Sequence, residues 1–69
     1  MKYVVVLEPT GTGYSAYAPD LPGCVAAAAT IEETEALIRE AISEHGGLLK
    51  ERGERVPEPA SRAALVEVA

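Results

Sequence analysis

The stretch "PDLPGC", Pro19–Cys24, decides how this chain folds, because it places a tight turn between two runs that are typical of β-strands. Its last four residues, "LPGC", have the pattern of a type II turn, with proline at the second position and glycine at the third, where φ must be positive. The first proline ends the preceding strand, and the aspartate can accept hydrogen bonds from backbone amides two residues on. We therefore predict a structural turn formed by Pro19, Asp20, Leu21, Pro22 and Gly23.

Three strands are predicted around this turn. Residues Lys2–Glu8, "KYVVVLE", are rich in β-branched side chains and predict the first strand. The glycine-containing connection Pro9–Gly13 leads into "YSAYAP", Tyr14–Pro19, so these two runs form a β-hairpin. The run "CVAAAA", Cys24–Ala29, is a weaker third strand because alanine has low strand propensity. Together they predict an antiparallel three-stranded meander.

The helix that follows has a clear start. Thr30 and Glu33 form a T-x-x-E capping box, which predicts the N-terminus of a helix. Apolar residues then recur every three or four positions over about five turns, which predicts one buried stripe. Gly46 and Gly47 interrupt the helical pattern. The helix either continues through them, at a cost in stability relative to alanine, or bends there. Gly53 is expected to end the helix in a left-handed conformation.

The region after the helix predicts one more strand. Pro57 and Pro59 exclude helix from the connector. Residues Arg62–Val68, "RAALVEV", predict a fourth strand, which pairs either with the edge of the sheet or with another subunit. The expected architecture is α+β in the order β-β-β-α-β, with the long helix packed on one face of the meander. At 69 residues, we expect one domain over 1–69.

The small size of the chain predicts self-association. A chain of 69 residues buries only roughly 60% of the surface that it exposes when unfolded, so small folds are usually reinforced by disulfides, a metal or oligomerisation. One cysteine excludes an internal disulfide, and one histidine beside it argues against a structural zinc site with four ligands. We therefore expect a homo-oligomer, a dimer or larger.

The net charge of the chain indicates which classes of partner it favours. A net charge of −5 disfavours nucleic-acid binding, which depends on Lys and Arg contacts to phosphates. An acidic surface suits a basic protein partner, although the same charge also keeps a small protein soluble. No run is long enough to be a signal peptide or a membrane span. With a free thiol and no signal, a cytoplasmic location is expected.

Three groups of residues could be catalytic, and each of them also has a structural interpretation. Asp20 could be an acid or metal ligand, but it has no obvious partners for a site. Cys24 and His45 could form a nucleophilic dyad, although a lone cysteine beside a strand is more often a small apolar residue. A carboxylate site formed by Glu8, Asp20 and helix glutamates would describe a metal-dependent nuclease, but those helix residues mostly point outward. We predict no catalytic residue, cofactor or metal ligand.

The run "YSAYAPDLPGCVAAAATIEETEALIREAISEHGGLL" closely resembles the HicB family of antitoxins. The family pattern is an aromatic strand, a P-D-L-P-G-C turn, a short strand, a T-x-x-E cap and an amphipathic helix. Its later proline-rich connector is matched by "GERVPEPAS", with Gly53, Pro57 and Pro59 in place and Ser61 one residue late. The chain departs from the pattern at Ala29, where the family usually has glycine before the capping threonine.

The resemblance implies a type II antitoxin with a partial ribonuclease-H-like fold that lacks catalytic residues. Its implied partner is a small basic HicA-like toxin, an mRNA-cleaving ribonuclease, which the antitoxin neutralises by covering the active site. Many members carry a C-terminal DNA-binding domain; because this chain stops at Ala69, no direct nucleic-acid binding is expected of it. The alternative is an orphan structural or regulatory domain that self-associates. The residues expected to face a partner are Tyr14, Tyr17, Glu33, Glu40 and Glu44.

Overall fold

A computed structural model describes residues 1–69, and it has the predicted meander followed by one long helix. The strands are β1 (Val6–Pro9), β2 (Tyr14–Tyr17) and β3 (Val25–Ala28), and the helix is α1 (Ile31–Glu51). Both neighbouring pairs are antiparallel, and the strand order is β1-β2-β3. The sheet therefore has two edges, one along β1 and one along β3.

β1 is shorter than the predicted strand over residues 2–8. Val6 lies opposite Tyr17, the last residue of β2, so residues before Val6 extend past the end of their neighbour. Beyond Tyr17 the chain enters the turn at Pro19, which has no N–H to donate to a ladder. Residues 2–5 therefore lack a strand partner within the chain.

Side chains alternate between the two faces of the sheet. Leu7, Ala16 and Ala26 lie in one row across the three strands, and Ala16 is buried beneath the helix. The next row, Val6, Tyr17 and Val25, points to the opposite face, which no element of the chain covers. The sheet thus has one face in the core and one face toward solvent.

Specific hydrogen bonds satisfy backbone groups at both ends of α1. Thr30 is the N-cap, and its Oγ1 accepts from the Glu33 amide at 3.1 Å and donates to the Glu33 carboxylate at 2.9 Å. At the other end, the amide of Gly53 donates to Lys50 O at 3.1 Å and the amide of Glu54 to Leu49 O at 2.8 Å. With Gly53 at a φ of 70°, these two bonds form a Schellman motif.

The helix runs without interruption through Gly46 and Gly47. Close packing of the backbone against the sheet does not explain these glycines, since a Cβ at either position would meet no atom within 4 Å. The buried stripe contains Thr34 and Ile38, while Leu37 lies outside it, 43% exposed.

The core is small and is built around the turn as well as the helix. Its buried apolar members come from β2, the turn, the start of β3 and α1: Ala16, Ala18, Leu21, Cys24 and Ile38. Leu21 is 1% exposed, which makes the turn a contributor to the core and not only a connection. The helix packs mainly on β3 and β2, so the inner face of β1 is less covered.

The predicted fourth strand, Arg62–Val68, is wrong. Residues 54–69 have no regular secondary structure, and every residue from 62 to 69 is exposed. The composition of the segment favours a strand, but a strand needs a hydrogen-bonding partner. The connector is fixed beside the β2–β3 turn, as described below, and the segment does not return along the edge of β1.

Candidate partner-binding surface

The turn between β2 and β3 is closed by three backbone hydrogen bonds. The amide of Ala18 donates to Cys24 O at 3.2 Å, that of Leu21 to Ala18 O at 3.1 Å, and that of Cys24 to Leu21 O at 3.1 Å. Gly23 has a φ of 90°, a conformation that favours glycine at the third position of a type II turn. These bonds hold the "PDLPGC" stretch in one shape.

Asp20 connects this turn to the distant connector. Its carboxylate accepts from the amides of Ala60 and Ser61, each at 2.9 Å, and from the Ser61 hydroxyl at 2.8 Å. The hydrogen bonds from Ala60 and then Ser61 lower the pKa of Asp20 below its usual value, because they stabilise the ionised form. The carboxylate is thereby occupied in holding the chain together.

Cys24 lies in the core and has the character of an apolar residue. It is 4% exposed, and its Sγ lies 3.9 Å from the carbonyl oxygen of Ala41 on α1. Burial raises the pKa of the thiol, which disfavours the nucleophilic thiolate. Throughout residues 1–69, no three His, Cys, Asp or Glu side chains lie close enough together to hold a metal ion.

One face of α1 is acidic and open to solvent. Glu33, Glu40 and Glu44 are exposed and follow one another at spacings of seven and four, which places them on one side of a helix. Two partly exposed leucines, Leu37 at 43% and Leu48 at 45%, share that side. We call these five residues the acidic stripe: they combine negative charge with apolar area suited to contact with another protein.

The two tyrosines predicted to face a partner are separated by the sheet. They are three residues apart in β2, so their side chains lie on opposite faces. Tyr14 is partly buried on the helix side, while Tyr17 is 43% exposed on the uncovered face. The structure therefore brings the three glutamates together and leaves Tyr17 on a different surface.

Val25 makes Tyr17 part of a larger apolar row that sequence reasoning missed. The residue is directly opposite Tyr17 in the β2–β3 ladder and is 66% exposed, while Val6 lies opposite Tyr17 on the other side. The period-2 alternation of each strand indicates which of its residues share a face. Which residues of neighbouring strands form one row depends in addition on the register between the strands.

A groove between β1 and α1 was also missed. It has a volume of about 540 Å³ and lies beside the less covered inner face of β1. Five of its eight lining residues are apolar, and three are charged; the lining residues are Met1, Lys2, Tyr3, Val5, Leu7, Glu35, Arg39 and Ile42. The groove lies on a different side of α1 from the acidic stripe.

The sequence of this chain matches a known protein family. Residues 3–68 match the family described as HicB-like antitoxin of bacterial toxin-antitoxin systems, which covers nearly the whole chain and every element of the fold. The chain belongs to the HicB-like antitoxin family. Members of this family are typically non-catalytic.

A phage protein is a further relative of this HicB-like chain. An uncharacterized 14.9 kDa protein from the rep-hol intergenic region of Haemophilus phage HP1 (strain HP1c1) is 37% identical over 57 residues. The match covers 83% of this chain but 43% of the phage protein, so the chain spans less than half the length of that relative. Within residues 1–69, α1 is too rich in charged side chains to serve as a membrane-spanning helix.

Proposed function

We propose that this chain is a non-catalytic antitoxin that binds and neutralises a small, basic, HicA-like, mRNA-cleaving toxin. The observation that carries the proposal is the acidic stripe on α1, in a chain whose residues 3–68 match an antitoxin family. A negative surface attracts a basic partner during encounter and orients it. The exposed Leu37 and Leu48 supply apolar area at the same place.

The five residues predicted to face a partner are not equally available for contact with a toxin. Glu40 and Glu44 are exposed and have no capping role, so they are free to pair with Lys or Arg of a toxin. Glu33 is shared with the N-cap, where its carboxylate accepts from Thr30. Tyr17 would serve a second contact on the uncovered face of the sheet, and Tyr14 is less accessible because it is partly buried.

The experiment is a pull-down from the native host with the tagged chain, followed by an RNA-cleavage assay with the protein that co-purifies. We expect a stoichiometric small basic ribonuclease that is released at high salt, because salt screens charge attraction. Added antitoxin should stop its cleavage of mRNA. A ribonuclease that binds but remains active would contradict neutralisation.

Charge reversal tests the location of the interface. Glu40→Lys with Glu44→Lys should weaken toxin binding by at least about tenfold, because one close interfacial charge pair contributes about 1.5 kcal/mol or more. The matched control is Glu54→Lys with Glu58→Lys, which changes net charge equally on exposed residues of the connector, outside the acidic stripe. Equal weakening by both pairs would show a general charge effect and exclude a specific role for the acidic stripe.

A second candidate function is an orphan domain that self-associates without a toxin. The observation that favours it is the exposed apolar segment at residues 62–69, with Leu65, Val66 and Val68 open to solvent. If the pull-down returns only further copies of the chain, this function replaces the first.

A further inference from the structure

The groove between β1 and α1 has the size and the lining of a small-molecule site. Its volume of about 540 Å³ lies within the range of about 300–1,000 Å³ that is typical of ligand pockets. Most of its lining residues are apolar, and such pockets combine an apolar lining with a few polar groups that orient the ligand. No residue of the acidic stripe lines the groove, so the toxin interface proposed above does not use it.

The apolar wall of the groove is the less covered margin of the core. Four partly buried residues both pack against the core cluster and line the groove: Tyr3, Val5, Leu7 and Ile42. The hydroxyl of Tyr3 donates to the carbonyl of Pro57, which ties this wall to the connector. An apolar group bound in the groove would therefore extend a core that has only five buried apolar residues.

The lining of the groove follows the length of the first strand. On this side it extends from Met1 to Leu7, a stretch that spans up to about 20 Å at roughly 3.3 Å per residue. On the other side, Glu35, Arg39 and Ile42 follow one another at spacings of four and three and so share one side of α1. A strand wall opposite a helix wall leaves a channel that suits a linear chain.

The charge of the groove is opposite in sign to that of the chain. The sequence has eleven acidic and six basic residues, whereas two basic residues, Lys2 and Arg39, line the groove beside one acidic residue, Glu35. Arg39 is the only Lys or Arg in residues 31–49 of α1. Neither cation donates a side-chain hydrogen bond to a protein acceptor. With two cations against one carboxylate, the groove has a net charge of +1 and suits an anion.

We propose that the groove binds a linear alkyl carboxylate, a fatty-acid-like anion, with its chain between β1 and α1 and its carboxylate on Arg39. The guanidinium of arginine presents paired N–H donors that match the two oxygens of a carboxylate. A single negative charge balances the net charge of the groove, whereas a phosphate monoester carries about −1.5 to −2. The proposal rests on the groove alone and does not depend on antitoxin activity.

The first test is isothermal titration calorimetry with decanoate, held well below the concentration at which it forms micelles. We expect saturable binding of one decanoate per chain. Octanoate, which is two methylenes shorter, should bind about tenfold more weakly, because each buried methylene contributes to affinity. Decanol, which has the same chain and no charge, should also bind about tenfold more weakly. Absence of saturable binding, or equally tight binding of octanoate or decanol, would overturn the proposal. Tighter binding of decyl phosphate than of decanoate would refute the carboxylate as the head group.

Two variants with the same substitution test the role of Arg39. Arg39→Gln should weaken decanoate binding by about tenfold or more, because it removes the charge that pairs with the carboxylate. Arg62→Gln changes net charge equally on an exposed residue outside the groove, and this matched control should bind decanoate as the wild type does. Circular dichroism confirms that both variants are folded. If the two variants bind decanoate equally well, the carboxylate is not held by Arg39 and the proposal fails.

Nuclear magnetic resonance then locates the alkyl chain. Exposed apolar residues also occur on the uncovered face of the sheet, at Tyr17 and Val25, and in residues 62–69, so binding alone does not identify the groove. Decanoate should shift the amide signals of Val5 and Ile42 and leave those of Val25 and Leu65 unchanged. Shifts that are largest on the uncovered face or in residues 62–69 would place the ligand on another surface and refute the groove as its site.

Discussion

The carboxylate of Asp20 accepts hydrogen bonds from both the backbone amide and the hydroxyl of Ser61, 41 residues later in the chain. A third bond, from the amide of Ala60, completes the contact. A side chain within the β2–β3 turn thereby fixes the connector that follows α1. This long-range contact gives the aspartate of the "PDLPGC" stretch a structural role.

Replacement of Asp20 should release the connector from the turn. It should also make the free energy of unfolding vary less with pH in the acid range. The pKa of Asp20 is lowered in the folded state, so its stabilising contribution is fully present above its unfolded value, about 4. The contribution is lost as pH falls through the lower folded value. We expect Asp20→Asn to be less stable than wild type at pH 7, with the difference shrinking below about pH 4.

Urea unfolding between pH 2 and pH 7 measures this difference. Glu54→Gln, an exposed carboxylate on the same connector, is the control and should leave the profile unchanged. Hydrogen exchange should show faster exchange of the Ala60 and Ser61 amides in Asp20→Asn. Identical profiles for wild type and Asp20→Asn would mean that the carboxylate contributes nothing to folding.

Gly13 should tolerate no side chain. A Cβ there would lie 2.2 Å from Ala28 O and 2.8 Å from the Cα of Ala29, both backbone atoms at the end of β3. Gly13→Ala should therefore destabilise the fold by about 1–3 kcal/mol or more, as overpacking does. Gly11→Ala, where a Cβ meets nothing within 4 Å, is the matched control and should change the free energy of unfolding by about 0.5 kcal/mol or less. Equal effects at the two positions would contradict this close approach.

The parts of the fold that could be predicted from sequence depend on local signals. The start of α1 at Thr30 and its end at Gly53 follow from residues within one turn of each terminus. The meander follows from strand-like runs separated by short turns. By contrast, the partner of Asp20 lies in the connector, and no pattern within the turn identifies Ala60 or Ser61.

The failure of the predicted fourth strand has a related cause. Composition indicates that residues 62–68 favour an extended strand, but it does not say which edge will receive them. The separation of Tyr14 from Tyr17 was predictable from their odd spacing, whereas the exposed row with Val25 needed the register. The groove beside β1 depends on where α1 crosses the sheet, which three-dimensional packing alone decides.

The N-cap at Thr30 should make a measurable contribution. Thr30→Ala removes the acceptor for the Glu33 amide and the donor to its carboxylate, and should cost about 1 kcal/mol of stability. Thr30→Ser keeps a hydroxyl in the same place and is expected to retain most of that contribution. Denaturant unfolding of the three proteins measures the difference. A Ser variant as unstable as the Ala variant would show that the methyl group, not the hydrogen bonds, matters here.

Cys24 should be protected from thiol reagents while the protein is folded. Its side chain is 4% exposed and burial raises its pKa, so both access and thiolate formation are disfavoured. We expect modification by a chromogenic disulfide at pH 8 to be slow for the native protein and rapid in urea. Rapid labelling of the native protein, at the rate of an unfolded control, would show that the core around Cys24 opens readily and would restore the thiol as a candidate reactive group.

Alanine at Gly46 or Gly47 should stabilise the protein. Both glycines lie within the continuous helix α1, where glycine costs about 0.8–1.0 kcal/mol relative to alanine, and an added Cβ meets no atom within 4 Å at either position. Each substitution should therefore raise the free energy of unfolding by about 1 kcal/mol, measured by urea denaturation. Glu32→Ala, at an exposed site near the start of α1, controls for a general benefit of alanine. Destabilisation by Gly46→Ala or Gly47→Ala would mean that the open space beside the helix is filled in the protein in solution, by a second subunit or another partner.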